Sequence, residues 1–411
     1  MVVRMVPAQG RRRRSLAALT SLVVIGAAAL AGCKASAEDN PINAVLGGDS
    51  SPSATATPAP PVKLQANLPA KGDVSVDTLV QVTAKNGTLK RVALTAGKDS
   101  VSGDLAKNGS SWTAGDRLEP GTTYHLTGVG TNEDGKSRRL DRTFNTIPLT
   151  LDQQTYPSIA PVQDATVGVG MPVIVTFDVP VTNKAEIEKH LSVETKPAQP
   201  GTWHWISDNE VHWRPKTYWK PGTDVTVNAD INGVDAGNGI YGQMDRSSSF
   251  HIGDDVEMNI DLQTHQMKVT QNGKLLRTIP VTGGADGFTT RSGIKVIIEK
   301  FEVKRMNSAT VGIGPGDPNY YNIPDVRYAQ RVTYSGEFLH AAPWSEGSQG
   351  YANVSHGCVG MSTENAAWLY GLTKVGDVVD VTGSDRPMEP TNGYGDWNVP
   401  YKQYREGSAL H

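Results

Sequence analysis

Cysteine is scarce in this 411-residue sequence, which contains only Cys33 and Cys358. The two lie far apart and each stands inside its own local motif, so a framework of disulfide bonds is not expected. A surplus of charge of one sign is also lacking, because 39 Lys and Arg residues face 42 Asp and Glu residues. This balance does not resemble the basic surface of a nucleic-acid binder, and we expect no nucleic-acid partner.

A long hydrophobic run is missing as well. The apolar run from Leu16 to Ala31 follows four arginines, Arg11 to Arg14, and is too short for a comfortable transmembrane helix. A basic segment, a short apolar segment and small residues at a cleavage site are typical of a secretory signal. We predict that residues 1–32 are a signal peptide, exported either by the general secretion route or, through its paired arginines, by the twin-arginine route.

The end of this signal, Leu30-Ala31-Gly32-Cys33, resembles the bacterial lipobox. The resemblance implies cleavage before Cys33 and attachment of a diacylglyceryl group to its thiol; the alternative is an ordinary signal peptide with an incidental cysteine. Residues 33–61 are rich in Ala, Ser, Thr and Pro and cannot bury enough apolar surface to offset their ordering entropy. We therefore predict a disordered tether that leads from a lipid anchor in the cell membrane, outside the cytoplasm, to the first folded domain.

Glycine and proline are frequent, with 43 and 25 copies, and they separate short runs rich in Val and Thr. This pattern predicts a mainly β protein with many short strands. Residues 62–147 and residues 148–253 carry similar signals, and each contains a Pro-Gly-Thr turn before a strand, at 120–122 and at 221–223. We predict two successive immunoglobulin-like β-sandwiches.

Turn residues and tryptophans give two local predictions. Asn-Gly pairs at 86–87 and 272–273 stand between strand-like segments, and each predicts a two-residue β-hairpin. The tryptophans of the sandwich segments either line a glycan-binding face or pack in the cores, which is the commoner role. These tryptophans are Trp112, Trp203, Trp205, Trp213 and Trp219.

Residues 254–383 are predicted to form a third domain, with alternating strands and one helix from Thr363 to Leu372 that Ser362 or Thr363 would cap. A strand over residues 377–381 closes this domain. The tail, residues 384–411, contains three aromatic residues. Exposed aromatic residues in a free tail are costly, so we expect the tail to pack back on the protein. The three are Trp397, Tyr401 and Tyr404.

The chemistry concentrates in the string Ser355-His356-Gly357-Cys358, which follows His340 after fourteen intervening residues. A thiol attacks a carbonyl as the thiolate, and a nearby imidazole can take its proton and stabilise the two groups as an ion pair. Gly357 permits an unusual backbone conformation, and the amides beside it could face a developing oxyanion. We predict that Cys358 is a nucleophile and His340 its general base.

Two other interpretations of the same residues remain open at this point. A lone buried cysteine is ordinarily an inert small hydrophobic residue. Alternatively, His340, His356 and Cys358 together form a zinc site, although the sequence lacks the ligand spacing of strong zinc motifs.

The pairing of His340 with the string 355–358 resembles the signature of the YkuD-type L,D-transpeptidases. The strings 334–345 and 395–400 resemble the mycobacterial members, and the similarity extends over nearly the whole chain. It implies a mixed β-sandwich with a short helix for the catalytic domain. It also implies cysteine acyl transfer on peptidoglycan stem peptides without a metal or organic cofactor, and acylation by carbapenem β-lactams.

The resemblance also assigns roles around the nucleophile. The backbone carbonyl of Ala341 would orient His340, and Ser355 would help to shape the site. Backbone amides of three residues would form the oxyanion hole: His356, Gly357 and Cys358.

Substrate contacts are implied on both sides of the nucleophile. A tyrosine from a lid between Met306 and Tyr328 reaches the site in relatives; by spacing it is Tyr321, with Tyr320 as the close alternative. Gly360 stands where many relatives carry Asn or Arg, which puts one substrate contact in doubt. The other implied substrate-binding residues are Met306, Tyr334, Ser335 and Trp344.

The implied reaction is a two-step acyl transfer. Cys358 attacks the carbonyl between the third residue of a tetrapeptide stem and its terminal D-Ala, and D-Ala leaves. The side-chain amine of a diaminopimelate on a second stem then resolves the thioester into a 3→3 cross-link. The alternatives are an L,D-carboxypeptidase, in which water replaces the amine, and a catalytically inactive lipoprotein that binds the cell wall. The two sandwiches would act as spacers.

Overall fold

The computed structural model describes residues 57–411. The predicted signal peptide, the lipidation candidate Cys33 and most of the predicted tether lie outside the described residues. The described part is mainly β with short helices, which confirms the predicted fold class. No helix within residues 57–411 has the length and apolar character needed to cross a membrane.

The first sandwich consists of two four-stranded sheets, ordered β1-β2-β6-β5 and β4-β3-β7-β8. Alternate residues of the long central strand β7 are buried, as expected for a strand with one face on a core. The strands are β1 (Lys63–Ala66), β2 (Gln81–Lys85), β3 (Thr88–Ala96), β4 (Asp99–Val101), β5 (Gly103–Leu105), β6 (Ser111–Ala114), β7 (Thr123–Thr131) and β8 (Ser137–Asn145).

The second sandwich has sheets ordered β10-β12-β15-β14 and β11-β19-β16-β13, with a small third sheet β17-β18-β9. A short helix, α1 (Lys184–Lys189), joins β12 to β13. The strands are β9 (Gln154–Thr155), β10 (Pro157–Ala160), β11 (Thr166–Val167), β12 (Val173–Phe177), β13 (Leu191–Lys196), β14 (Gly201–Trp205), β15 (Glu210–Pro215), β16 (Asp224–Ala229), β17 (Asp235–Gly237), β18 (Ile240–Gly242) and β19 (Arg246–Ile252).

The third domain packs a five-stranded sheet, β22-β21-β20-β28-β23, and a four-stranded sheet, β24-β25-β26-β27, around one core. The predicted helix is confirmed as α2 (Thr363–Leu372), and the side chain of Ser362 accepts a hydrogen bond from the amide of Asn365 at its start. The strands are β20 (Val256–Asp261), β21 (Gln266–Gln271), β22 (Lys274–Pro280), β23 (Gly293–Val296), β24 (Glu299–Asn307), β25 (Asn322–Arg331), β26 (Phe338–Ala341), β27 (Val359–Met361) and β28 (Val378–Thr382).

Short helical segments complete the chain. The tail contains α3 (Tyr401–Arg405). The 3₁₀ segments are Leu151–Gln153, Ser308–Val311, Pro343–Ser348 and Asp396–Asn398.

The two Asn-Gly turns differ. Asn272 and Gly273 take φ values of 52° and 75° and join β21 to β22 with Gln271 opposite Lys274, which confirms that hairpin. Asn86 and Gly87 also take positive φ, but the hairpin predicted there is wrong. Strand β2 pairs with β1 and β6, whereas β3 pairs with β4 and β7, so this turn carries the chain from one sheet to the other.

The repeated Pro-Gly-Thr element has the same structure in both sandwiches. Gly121 and Gly222 take φ values of 59° and 77°. The amide of Gly121 donates to the carbonyl of Ile147, at 3.0 Å, and the amide of Gly222 donates to the carbonyl of Ile252, at 2.9 Å. Each turn therefore ties the start of a strand to the end of its own domain.

The tryptophans pack rather than form a surface. Trp112 is buried in the core of the first sandwich, and three others are buried in the core of the second. Trp205 is partly exposed but stacks on Phe177 with ring centroids 5.8 Å apart. The packing interpretation is therefore confirmed. The three buried in the second sandwich are Trp203, Trp213 and Trp219.

The second sandwich and the third domain share a seam. The amide of Gly168 donates to the carbonyl of Val375 at 2.9 Å, and the amide of Gly170 donates to the carbonyl of Gly376 at 2.8 Å. Val378 of β28 belongs to the core of the second sandwich. A side chain at position 168 would overlap the backbone of Asp377. The two segments of the chain therefore approach as closely as glycine allows.

The tail lies across this seam. The indole N–H of Trp397 donates to the carbonyl of Gly170 at 2.7 Å. Buried His212 of β15 lies between two carboxylates, with Nδ1 2.9 Å from Asp396 and Nε2 2.9 Å from Glu210. Burial alone would lower the pKa of His212, but the two carboxylates outweigh it and raise the pKa to about 9. The hydroxyl of Tyr404 donates to the same Asp396 carboxylate at 2.7 Å.

Polar groups connect the two sandwiches. The amide side chain of Asn232 donates to the carboxylate of Glu119 at 2.9 Å, and Ser75 donates to the hydroxyl of Tyr241 at 3.4 Å. These groups lie at the surface or are only partly buried, unlike those that cross the seam.

Candidate active site

Strands β26 and β27 bring the two predicted catalytic residues together. They are parallel neighbours, with Leu339 opposite Val359 and His340 opposite Gly360. Cys358 stands immediately before β27, two residues before Gly360, so its side chain leaves the sheet on the same face as that of His340. Both side chains line the same cavity.

His340 is buried, and its ring is held by the backbone. Nδ1 donates to the carbonyl of Ala341 at 2.7 Å, which is the orientation that the family resemblance predicted. This bond places the proton on Nδ1 and leaves Nε2 as the basic nitrogen. Burial lowers the pKa of His340, and the bond to Ala341 opposes that effect. The ring of Trp344 stacks beside it, with ring centroids 5.9 Å apart.

Cys358 is buried. Burial raises the pKa of Cys358 to about 12, and its Sγ donates to the carbonyl of Gly336 at 3.7 Å. Burial therefore disfavours both the thiolate of Cys358 and the imidazolium of His340. The ion pair predicted from the sequence stays a prediction.

The loop before the nucleophile is fixed by short hydrogen bonds. The hydroxyl of Ser355 donates to the carbonyl of Cys358 at 2.6 Å, and Thr290 donates to the carbonyl of Gly357 at 2.9 Å. Gly357 takes φ 118°, a conformation that favours glycine. Its amide donates to the hydroxyl of Ser355 at 3.1 Å, so the oxyanion donor predicted at this amide is already engaged. The remaining candidates for that role are the amides of His356 and Cys358.

A cavity of ≈ 320 Å³ opens over this face. Tyr321 enters it from the lid, and its ring lies 5.0 Å from that of His356. Ser308 holds this tyrosine in place by accepting from its amide at 2.9 Å and donating to its carbonyl at 3.2 Å. Most of the lining is apolar. The predicted residues that line the cavity are Met306, Tyr321, His340, Trp344, Ser355, His356, Cys358 and Gly360.

Other predicted residues lie elsewhere. Tyr320 is not among the described residues that line this cavity, whereas Tyr334 lines a neighbouring one of ≈ 510 Å³. Ser335 is held by Asn392 of the tail, which accepts from its amide at 2.8 Å and donates to its hydroxyl at 2.9 Å. Ala341 contributes only its carbonyl, since its side chain is buried.

Gly360 is closely packed. A Cβ atom there would lie 2.8 Å from Cβ of Ala342 and 3.1 Å from Cγ2 of Thr282. Both distances are too short for ordinary contacts, so the longer side chains that stand here in many relatives would not fit without a shift of these neighbours.

A cluster of charged residues under the nucleophile is not predicted by the sequence motifs. Lys295 and Arg291 both pair with Glu337, with N–O distances of 2.7 Å and 3.0 Å. Glu337 stands inside the string that resembles the family, but its partners come from a segment more than 40 residues earlier. Lys295 lies on β23 of the five-stranded sheet and Glu337 directly before β26 of the four-stranded sheet, so these residues meet only where the two sheets pack together. Within residues 57–411, no group of three or more His, Cys, Asp or Glu side chains is arranged to hold a metal ion.

Comparisons with known proteins identify the kinds of domain in this chain. A family described as the L,D-transpeptidase catalytic domain matches residues 255–381, and one described as a bacterial Ig domain matches residues 71–235. L,D-transpeptidase 2 of Mycobacterium tuberculosis is 37% identical over 339 residues, which cover 82% of this chain and 82% of that protein. The chain belongs to the L,D-transpeptidase family.

Further relatives have the same description. L,D-transpeptidase 5 of M. tuberculosis is 35% identical over 341 residues, covering 80% of this chain and 73% of that protein. Among solved structures, LD transpeptidase LdtMt1 in complex with imipenem is 36% identical, with a TM-score of 0.49, and covers 56% of this chain and 99% of that chain. An L,D-transpeptidase from Mycobacterium smegmatis is 33% identical, with a TM-score of 0.47 over 56% and 99%. The match to the catalytic-domain family and the identity to L,D-transpeptidase 2 confirm the family and enzyme class predicted from the motif.

Proposed function

We propose that this L,D-transpeptidase forms 3→3 cross-links in peptidoglycan through a thioester on Cys358, with His340 as the general base. The observation that carries the proposal is their position on the same face of two neighbouring parallel strands, lining one cavity. The bond from His340 to Ala341 leaves Nε2 free to accept the thiol proton.

In the first half-reaction, the sulfur of Cys358 attacks the carbonyl that precedes the terminal D-Ala of a tetrapeptide stem. The thiol proton passes to Nε2 of His340 as the carbon–sulfur bond forms. The carbonyl of Ala341 stabilises the imidazolium through its Nδ1–H, and the amides of His356 and Cys358 donate to the oxyanion. Nε2 then returns the proton to the amine of D-Ala as the peptide bond breaks.

In the second half-reaction, the side-chain amine of a diaminopimelate attacks the thioester. His340 removes a proton from this amine, the carbon–sulfur bond breaks and the sulfur regains a proton. The lining around Met306, Tyr321 and Trp344 is mostly apolar and offers few partners to hold a hydrolytic water, which favours an amine acceptor over hydrolysis. The same thiol and base would open a β-lactam ring of the carbapenem type.

The protein is exported and lipid-anchored in this proposal. Support comes from the sequence alone: Arg11 to Arg14, the apolar run to Ala31, and the resemblance of residues 30–33 to a lipobox. Lipid on Cys33 would hold the enzyme at the cell membrane, and the two sandwiches would carry the active site toward the wall. Metabolic labelling with a fatty-acid analogue should mark the wild type and not Cys33→Ala; labelling of the variant would refute the anchor.

The reaction is tested with purified protein and defined tetrapeptide muropeptides, analysed by mass spectrometry. Dimers that have lost one D-Ala are the expected product, and tripeptide monomers alone would instead indicate a carboxypeptidase. Cys358→Ala should make neither product, and His340→Gln should lower the rate by at least about 10²-fold. Cross-linking by Cys358→Ala at the wild-type rate would exclude this nucleophile.

A further inference from the structure

A buried charge cluster lies directly behind the nucleophile. We define it as Lys295, Glu337 and Arg291. Nζ of Lys295 is 2.7 Å from one carboxylate oxygen of Glu337, and Nη1 of Arg291 is 3.0 Å from the other. The side chains are 1%, 5% and 9% exposed, in the order Lys295, Glu337, Arg291, so water screens these charges little.

The cluster contacts the backbone that surrounds the sulfur. Glu337 stands between Gly336, whose carbonyl accepts from the thiol, and Phe338, whose backbone lowers the pKa of Cys358. A Cβ atom on Gly357 would lie 3.9 Å from a carboxylate oxygen of Glu337. Arg291 follows Thr290, which holds the Gly357 carbonyl.

The buried charges do not balance. Two cations share one buried anion, because the second partner of Arg291, Glu389, is 51% exposed and its charge is screened by solvent. Buried ion pairs of this kind are weak contributors to stability, since desolvation offsets much of their attraction. Burial lowers the pKa of Lys295, whereas Glu337 and a negative Cys358 raise it. With Lys295 protonated, the excess of positive charge in this place suits a sulfur that becomes negative during attack.

Lys295 and Glu337 act on the thiol in opposite directions. The carboxylate of Glu337 raises the pKa of Cys358, whereas the ammonium of Lys295 lowers it, both as smaller effects beside burial. Arg331 of β25 lowers it further. The other ionisable groups that face this site are Tyr321 of the lid, His340 of β26 and His356 of the loop before the nucleophile.

We propose that Lys295, Glu337 and Arg291 are positioning residues whose net positive charge stabilises the thiolate of Cys358 while substrate is attacked. Glu337 also orients the two cations and supports the turn at Gly357. The proposal rests on the proposed function insofar as Cys358 is the reacting thiol.

The test measures the rate at which iodoacetamide alkylates Cys358 in the full-length protein, from pH 6 to pH 10, by mass spectrometry of the peptide that carries it. Only the thiolate reacts, so the rate reports the thiolate population, partly offset because a less basic thiolate is less nucleophilic. Lys295→Met should slow alkylation at pH 7 roughly three- to tenfold, and Glu337→Gln should speed it by a similar factor. Glu186→Gln, which removes a carboxylate from a surface ion pair on α1, should leave the rate unchanged.

A purely structural role would not make Lys295→Met slow the alkylation of Cys358 and Glu337→Gln speed it. If both single variants change the rate in the same direction while keeping the wild-type melting temperature, or if neither changes it, the proposal is wrong. Should the single variants fail to fold, the variant carrying both changes decides. It should react within about twofold of the wild type, since removal of one charge of each sign nearly cancels. A larger change in that variant overturns the proposal.

Failure of this proposal is distinguishable from failure of the proposed function. If Cys358→Ala still cross-links muropeptides, the nucleophile assignment fails, but the alkylation profile still reports how the cluster acts on this thiol. If Cys358→Ala is inactive and the two substitutions do not shift alkylation in opposite directions, only the cluster proposal fails.

Discussion

The junction between the two sandwiches and the seam between the second sandwich and the catalytic domain differ in what crosses them. Surface and partly buried side chains such as Asn232, Glu119 and Ser75 cross the first. Backbone hydrogen bonds at Gly168 and Gly170, a shared core at Val378 and the aromatic tail cross the second. From this difference we expect the second sandwich and the catalytic domain to unfold together, and the first sandwich to be coupled to them more weakly.

Among the variants that test this difference, Asp396→Ala is expected to lower the free energy of unfolding most. The substitution removes the carboxylate that accepts hydrogen bonds from protonated His212 and from the hydroxyl of Tyr404, and both donors stay buried. We expect a loss of about 3–5 kcal/mol in the free energy of unfolding, the usual cost of breaking a buried ion pair. Calorimetry should show a lower melting temperature for the catalytic domain and second sandwich, with the first sandwich unchanged. If the melting temperature of the first sandwich fell by the same amount, the first sandwich would not be coupled more weakly than the other two domains.

The pH dependence of stability should follow His212. Its pKa of about 9 in the folded protein lies above the ordinary value of 6.5, so its contribution is complete below pH 6.5 and is lost as the pH rises through 9. The stabilisation at stake is about 3 kcal/mol. Melting temperatures of the wild type and His212→Gln, measured from pH 6 to pH 10, should converge at the alkaline end; a constant difference would argue against this assignment.

Gly168→Val is expected to open the seam itself. The new side chain would overlap Asp377, and relief of that overlap should cost about 2–3 kcal/mol. Urea unfolding monitored by tryptophan fluorescence measures the change. Gly371→Ala is the control, because a Cβ atom at this position of α2 meets nothing within 4 Å and should stabilise the helix slightly. If both variants had the same free energy of unfolding, the close contact at Gly168 would not contribute to stability.

The smallest effect is expected at the junction between the sandwiches. Asn232→Ala removes the exposed hydrogen bond to Glu119 and should change the free energy of unfolding by less than about 0.5 kcal/mol. Calorimetry at pH 7 measures it alongside Asp396→Ala. A shift as large as that of Asp396→Ala would mean that the two junctions are energetically alike.

Local sequence signals predicted local structure well. The Pro-Gly-Thr turns, the cap at Ser362 and the Asn272-Gly273 hairpin depend on backbone preferences of a few adjacent residues. The identical dipeptide at Asn86-Gly87 shows the limit of such signals. A turn fixes where the chain reverses, whereas the choice of pairing partner for β3 depends on which face the rest of the sandwich buries.

Some features of the site could likewise be predicted from local sequence, and others depend on the rest of the fold. Cys358 and His340 were predictable because one compact motif carries them, whereas the role of the Ala341 carbonyl was expected only from the family resemblance. The engaged amide of Gly357 and the raised pKa of Cys358 were not predictable, since they depend on the rotamer of Ser355 and on burial by distant strands. Lys295 and Arg291 look like ordinary charged residues of a strand segment until β23 is placed beneath the nucleophile.

The partner that orients His340 is a main-chain oxygen, and this has a consequence for how the enzyme can vary. Every amino acid supplies the same carbonyl, so no replacement of the side chain at position 341 deletes the acceptor. An inhibitor that depends on a correctly oriented imidazole therefore meets a target whose alignment is insensitive to most single-codon changes at that position. Escape through this contact would require a change in the path of the strand, at a cost to the enzyme's own turnover.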